Sequence, residues 1–336
     1  MKFNVKYTKL GNQFFFISNL SEWHFSCRPD YNEIWIKRTG DLTRKEKQSL
    51  QDFKNIMTKY GFTYRNKKSV YIGNIFYKYP EESIWEKLRW LVTKKELEKI
   101  KEIFNIFNPR FNKIWRSYKP FGARIKIFEN VLYEKRNVNL FKALEIMLGN
   151  KKKIKCINIF IIFSPHDFDA TAAGGANIGD DSITLELPNF KSKNESDLEY
   201  SVGVLAHEVG HILFRNGDYH TLIKKIIRKK KIKDISNLYP RCSVLEIVEE
   251  LIIELLVPIG VLAQKFYKFK PIQYLFLDLD SLGEYYLNLK KGSKIPLRKY
   301  RKYLIWQLYP LTTHYLYKNK KIDKNFLSTL FKTLSM

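Results

Sequence analysis

Of the six histidines in the 336-residue chain, His207 and His211 stand four residues apart in "SVGVLAHEVGHILFRNG", with Glu208 directly after the first. On a helix, positions four apart lie one above the other on one side. Both imidazoles can therefore reach one metal ion. Glu208 can contact a water on that metal without ligating it. Such a set does hydrolytic chemistry, because a metal acidifies water and polarises a carbonyl while a carboxylate takes the proton and passes it on. The surroundings sharpen the reading. Val202, Leu205, Ala206, Val209, Ile212 and Leu213 make the segment apolar nearly all round, and unpaired His and Glu in such a setting are costly. A bound metal removes that cost.

The elements needed to position this group can be read around it. "KKKIKCINIFIIF" (151–163) has the length and apolar character of a strand. The Gly- and Asp-rich "SPHDFDATAAGGANIGDD" (164–181) reads as a loop, and "SITLELP" (182–188) alternates like a second strand ended by Pro188. Ser196 and Glu199 have capping-box spacing and Asn216–Gly217 supplies a stop, so the motif helix is predicted over 197–215.

In "HEVGH" and this setting, over roughly residues 151–260, the chain resembles the zincin superfamily of metallopeptidases. The resemblance implies an α+β catalytic domain: a small mixed sheet whose edge strand lies over the motif helix, with a helical C-terminal part. It implies Zn²⁺ as cofactor, Glu208 as general base and a protein or peptide substrate. "SITLELP" would be the edge strand that pairs with substrate backbone, and "GGANIG" would border the cleft.

A catalytic zinc needs a third protein ligand and an open position. The metzincin pattern fails, since Phe214 and Gly217 occupy its positions; Asp218 and His220 just past the helix are the nearby candidates. The gluzincin branch takes a glutamate from a later helix, and "SVLEIVEELIIELLVP" is such a segment. "EIVEELI" is similar to the ligand helix of lethal-factor-like peptidases, and the "LLVP" ending weakly resembles ImmA/IrrE-type peptidases. Glu250 is the expected ligand and Glu246 the second choice, with the other free to orient His207. Tyr239 is a candidate oxyanion donor and His166 a candidate cleft residue.

Residues 1–120 carry no recognisable motif and are read as an N-terminal α+β module, with the metallopeptidase domain over 121–336. Within the module "KFNVKYTKL", "NQFFFIS" and "NEIWIKR" read as strands. Thr43/Glu46 and Thr93/Glu96 mark capping boxes of helices, and Pro109 is expected to interrupt the second of these. His24 and Cys27 lack further ligands nearby. Three scattered cysteines suggest no disulfide framework, which fits a reducing compartment. No signal peptide is evident, and four glutamates in the longest apolar stretch, 244–263, disfavour a bilayer span. These features point to a cytoplasmic protein, with signal-free export as the alternative. A formal net charge of +26 and the segment "IKKIIRKKKIK" (223–233) suggest an anionic partner, nucleic acid or an acidic protein. They also frame the alternative function, a basic nucleic-acid-associated protein with a structural or degenerate zinc site. A toxin or defence effector steered by its basic surface is a third reading.

Overall fold

A computed structural model of the chain describes residues 1–24, 26–65, 68–119, 121–167, 174–189, 195–230, 243–258, 260–267 and 297–334. The architecture is α+β and mostly helical. Two compact units divide it. One comprises Phe3–Glu129 and Ile157–Asp197; the other comprises Met1–Lys2, Asn130–Cys156 and Leu198–Met336. The chain passes between them repeatedly, whereas the sequence suggests one boundary near residue 120.

The first unit holds a four-stranded sheet in the order β1-β4-β6-β5, formed by β1 (Lys2–Lys6), β4 (Cys156–Asp167), β5 (Gly175–Asn177) and β6 (Ser182–Asn189). β4 and β6 run parallel, with Asn158 opposite Ser182 and Phe163 opposite Leu187. β5 returns antiparallel along β6, with Gly175 opposite Leu185. "SITLELP" is therefore an interior strand and not the edge. Its polar positions explain why: Ser182 and Thr184 are buried along with Ile183, Leu185 and Leu187, so the strand is covered on both faces. The edge is supplied by the short "GAN" run, drawn from what reads in sequence as loop. A separate hairpin pairs β2 (Phe62–Arg65) with β3 (Lys68–Tyr71).

"NQFFFIS" and "NEIWIKR" are helical, not extended. They lie in α1 (Lys9–Ser21) and α2 (Pro29–Thr39). α1 is buried on nearly every face, so it shows neither a helical nor a strand period. Two of its three buried amides bond to the backbone of other elements. Asn12 donates to the Ile161 carbonyl at 3.1 Å and accepts from the Phe163 N–H at 2.8 Å, binding α1 to β4, and Gln13 donates to the Phe104 carbonyl at 2.8 Å. Around α1 pack α3 (Arg44–Tyr60), α4 (Gly73–Lys78) and α6 (Lys94–Ser117), with α5 (Glu81–Leu88) beside α4. Both expected capping boxes form. α6 runs through Pro109 unbroken, contrary to expectation. Buried Phe107 and Phe111 pin it on either side of the proline, and Arg110 grips Glu46 through two charge-assisted bonds at 2.8 and 2.9 Å.

α7 (Phe121–Leu132) leads into the second unit, whose helices are α8 (Lys135–Leu148), α9 (Glu195–Asn216), α10 (Tyr219–Lys230), α11 (Val244–Leu256), α12 (Val261–Phe266), α13 (Leu297–Tyr317) and α14 (Lys324–Leu334). α9 carries the histidine motif. α10 buries Ile223 and Ile226 and exposes Lys224, Lys225 and Arg228, the pattern of an amphipathic helix with a solvated basic face. α11 packs on α12 and α13. Among the described residues no helix is long and apolar enough to cross a membrane.

Candidate metal centre

Two helices build the site. α9 is fully buried at Leu205, Ala206, Val209 and Leu213, so its rotation is fixed and the remaining stripe, His207 and His211, is set by it. α11 is fixed in the same way by Ile247, Val248, Leu251 and Ile252. The helices meet closely at Gly210. A Cβ there would lie 3.0 Å from the Ile253 methyl, so the glycine inside "HEVGH" admits the α11 side chain.

At this junction His207, His211 and Glu250 converge, each offering one donor atom within 4.8 Å of the others. The two Nε2 atoms are 3.1 Å apart. Glu250 Oε2 is 3.5 Å from His207 Nε2, and Glu250 Oε1 is 3.6 Å from His211 Nε2. Donors around a tetrahedral zinc with bonds near 2.0–2.1 Å stand about 3.3 Å apart. The three separations straddle that value, so the residues fit such an ion.

The far side of each ring is held as a ligand requires. His211 Nδ1 donates to Glu249 Oε1 at 2.7 Å, and His207 Nδ1 donates to the Val257 carbonyl at 3.3 Å. A carbonyl or carboxylate oxygen can only accept, so these bonds keep a proton on each Nδ1, and each Nε2, once it has given up any proton of its own, offers its lone pair to an ion. Glu249 also accepts from Arg215 Nε at 2.7 Å and His220 Nε2 at 3.0 Å. It is 4 % exposed. Burial alone would raise its carboxyl pKa, but His211, His220 and Arg215 reverse the sign and hold it below the usual range. The same balance holds Glu250 well below that range, through the two imidazoles facing it. Burial likewise opposes charge on His211, yet Glu249 and Glu250 outweigh it and push its pKa up to about 9. Carboxylates thus dominate the cluster, and it favours a bound positive charge.

Glu208 is 9 % exposed, and its charge acts on His211. Glu246, in contrast, turns away from the imidazoles. Its carboxylate accepts from the Ser243 N–H at 2.7 Å and hydroxyl at 2.9 Å, closing a capping box at the start of α11. Asp218 is exposed and pairs with Lys151. His220 binds Glu249 rather than joining the group. His24 meets Ser26, and the Cys27 thiol donates to the Ser18 carbonyl; among the described residues neither joins a metal-binding group. Tyr239 and the side chain of His166 lie outside the described residues.

Sequence reasoning missed Glu249 and Arg215. The signal was present: Glu249 sits between buried Val248 and Glu250 on an apolar helix, and Arg215 is one turn beyond His211. The capping box at Ser243 was equally visible as a Ser three residues before a Glu. No family model, curated protein or solved structure matches the chain.

Proposed function

We propose that the protein is a zinc-dependent peptidase of the gluzincin type, cutting within polypeptides. The observation that carries this is the spacing of the three donors, 3.1 to 3.6 Å, at the junction of α9 and α11. His207, His211 and Glu250 would hold the ion. Zinc bound there supplies a Lewis acid that acidifies water and polarises a scissile carbonyl. The remaining work belongs to the chain. Glu249 and the Val257 carbonyl keep the ring protons on Nδ1, so both Nε2 atoms stay available. Glu208, next to the first ligand, takes the proton of the attacking water and delivers it to the departing amine.

No fourth His, Cys, Asp or Glu joins the group among the described residues, which favours an open catalytic position over a structural zinc. The net charge of +26 favours encounter with acidic polypeptides. The test is an unbiased peptide library with the zinc-loaded wild type beside Glu208→Gln. The wild type is expected to cut internal bonds, and the variant to keep its zinc and lose turnover. Undiminished cleavage by the variant overturns the role of Glu208, and an inert zinc-loaded wild type overturns the peptidase reading.

A further inference from the structure

The sheet-bearing unit contains a cavity of about 570 Å³ that the metal chemistry does not use. That volume suits a small ligand or one large side chain. Its wall is aromatic. Trp23 stacks on Tyr71 with centroids 6.2 Å apart and planes 17° from parallel, and Phe62 stacks on Tyr71 at 5.1 Å and 27°. Tyr77 extends the wall. The Trp23 indole N–H is already given to the Ser18 hydroxyl at 2.8 Å, so Trp23 contributes ring and not donor. Phe62 is left 51 % exposed, an apolar ring kept in water.

The charge of the lining is the second observation. Lys and Arg make up 60 of the 336 residues, yet neither type is among the described residues that line this cavity, and the carboxylate among them is Glu186. Glu186 accepts from the Tyr31 hydroxyl and stands 3.6 Å from Arg28 Nη1. Arg28 is shared, since it also pairs with Asp30 at 3.0 Å and stacks over the Tyr31 ring. His24, the lining imidazole, has its pKa lowered by burial and is neutral near pH 7.

A third observation concerns Asn74, which lines the same cavity. Its amide oxygen is buried and meets no donor among the described residues. Buried acceptors are rarely left so.

We propose that this cavity binds a cationic group, an alkylguanidinium or alkylammonium, between the Trp23, Phe62 and Tyr71 rings and Glu186. Aromatic faces attract cations, and a carboxylate in the same cavity selects charge over shape. The N–H groups of such a ligand also supply the donor that Asn74 lacks. Neutral apolar ligands would satisfy the rings alone.

Calorimetric titration of the full-length, zinc-loaded protein tests this with three probes. They are N-acetyl-arginine amide, its neutral isostere N-acetyl-citrulline amide, and agmatine. Saturable binding of a guanidinium probe is expected, with citrulline weaker by about tenfold or more. Preference for the arginine amide over agmatine identifies a side chain carried on a peptide, and the reverse identifies a free cation; either supports the site. Glu186→Gln and, separately, Trp23→Leu are each expected to weaken arginine binding about tenfold, while circular dichroism and bound zinc stay as in the wild type. Equal affinity for citrulline, absence of saturable guanidinium binding, or undiminished arginine binding in both variants overturns the proposal. Because these readouts need no turnover, their failure is separable from failure of the peptidase reading.

Discussion

Glu249 decides how His211 behaves. It is buried at 4 % exposure, bonds His211 Nδ1 at 2.7 Å, and is held in turn by Arg215 and His220. A carboxylate at that position fixes the tautomer and makes Nε2 more basic. Glu249→Gln keeps the size and loses the charge. Zinc affinity, measured by competition against a chelating dye, is expected to fall about 10- to 100-fold. An unchanged affinity contradicts the positioning role. His211 and Glu250 stay in place in that variant, so the loss is one of electronics and orientation and not of a ligand.

At the scale of elements, α11 does two jobs with neighbouring glutamates. Glu246 caps its N-terminus through Ser243, and Glu250, one turn on, faces the imidazoles. Glu246→Ala is expected to lower stability by about 1 kcal/mol in a denaturant titration, with bound zinc unchanged; loss of zinc in that variant contradicts the division of labour. The same helix shows what the sequence disclosed and what it hid. The motif helix and the capping boxes at Thr43 and Thr93 were legible, because each rests on spacing within one helix; Glu250, singled out by resemblance, lies beside the two imidazoles. α1 and α2 were not. Their apolar residues are buried on several faces, and the polar groups that would have set the period, Asn12 and Gln13, are buried too, bonded to backbone far along the chain. The edge strand was hidden for a related reason. "GAN" is too short to show alternation, and β6 alternates although both its faces are covered.

For the whole molecule, charge is the governing quantity. Sixty basic against 34 acidic side chains leave few carboxylates, and several are committed to structure. Burial disfavours the Glu46 and Glu96 anions, but bonds from Arg110 and Thr43 to the first, and from Thr93, Tyr60 and Lys59 to the second, outweigh it. Both folded-state values are lowered, that of Glu96 to about 2. A depressed carboxyl contributes stability that is complete above its unfolded value of 4.5 and is lost as pH falls through its folded value. Protonation there also adds net positive charge to a molecule already strongly basic. Thermal melts are expected to show the midpoint falling steadily from about pH 4.5 towards pH 2, with a shallower fall in Glu96→Gln. A midpoint flat across that range contradicts the assignment.

The central claim, that two α9 imidazoles and one α11 carboxylate hold a zinc ion with a coordination corner open to water, is tested most directly by zinc-edge X-ray absorption on the loaded protein. The expected result is one zinc per chain bound by four nitrogen or oxygen neighbours at about 2.0–2.1 Å, two of them imidazole, with zinc lost on Glu250→Ala. Sulfur neighbours near 2.3 Å, three or four imidazoles, or zinc retained in full by Glu250→Ala would contradict it.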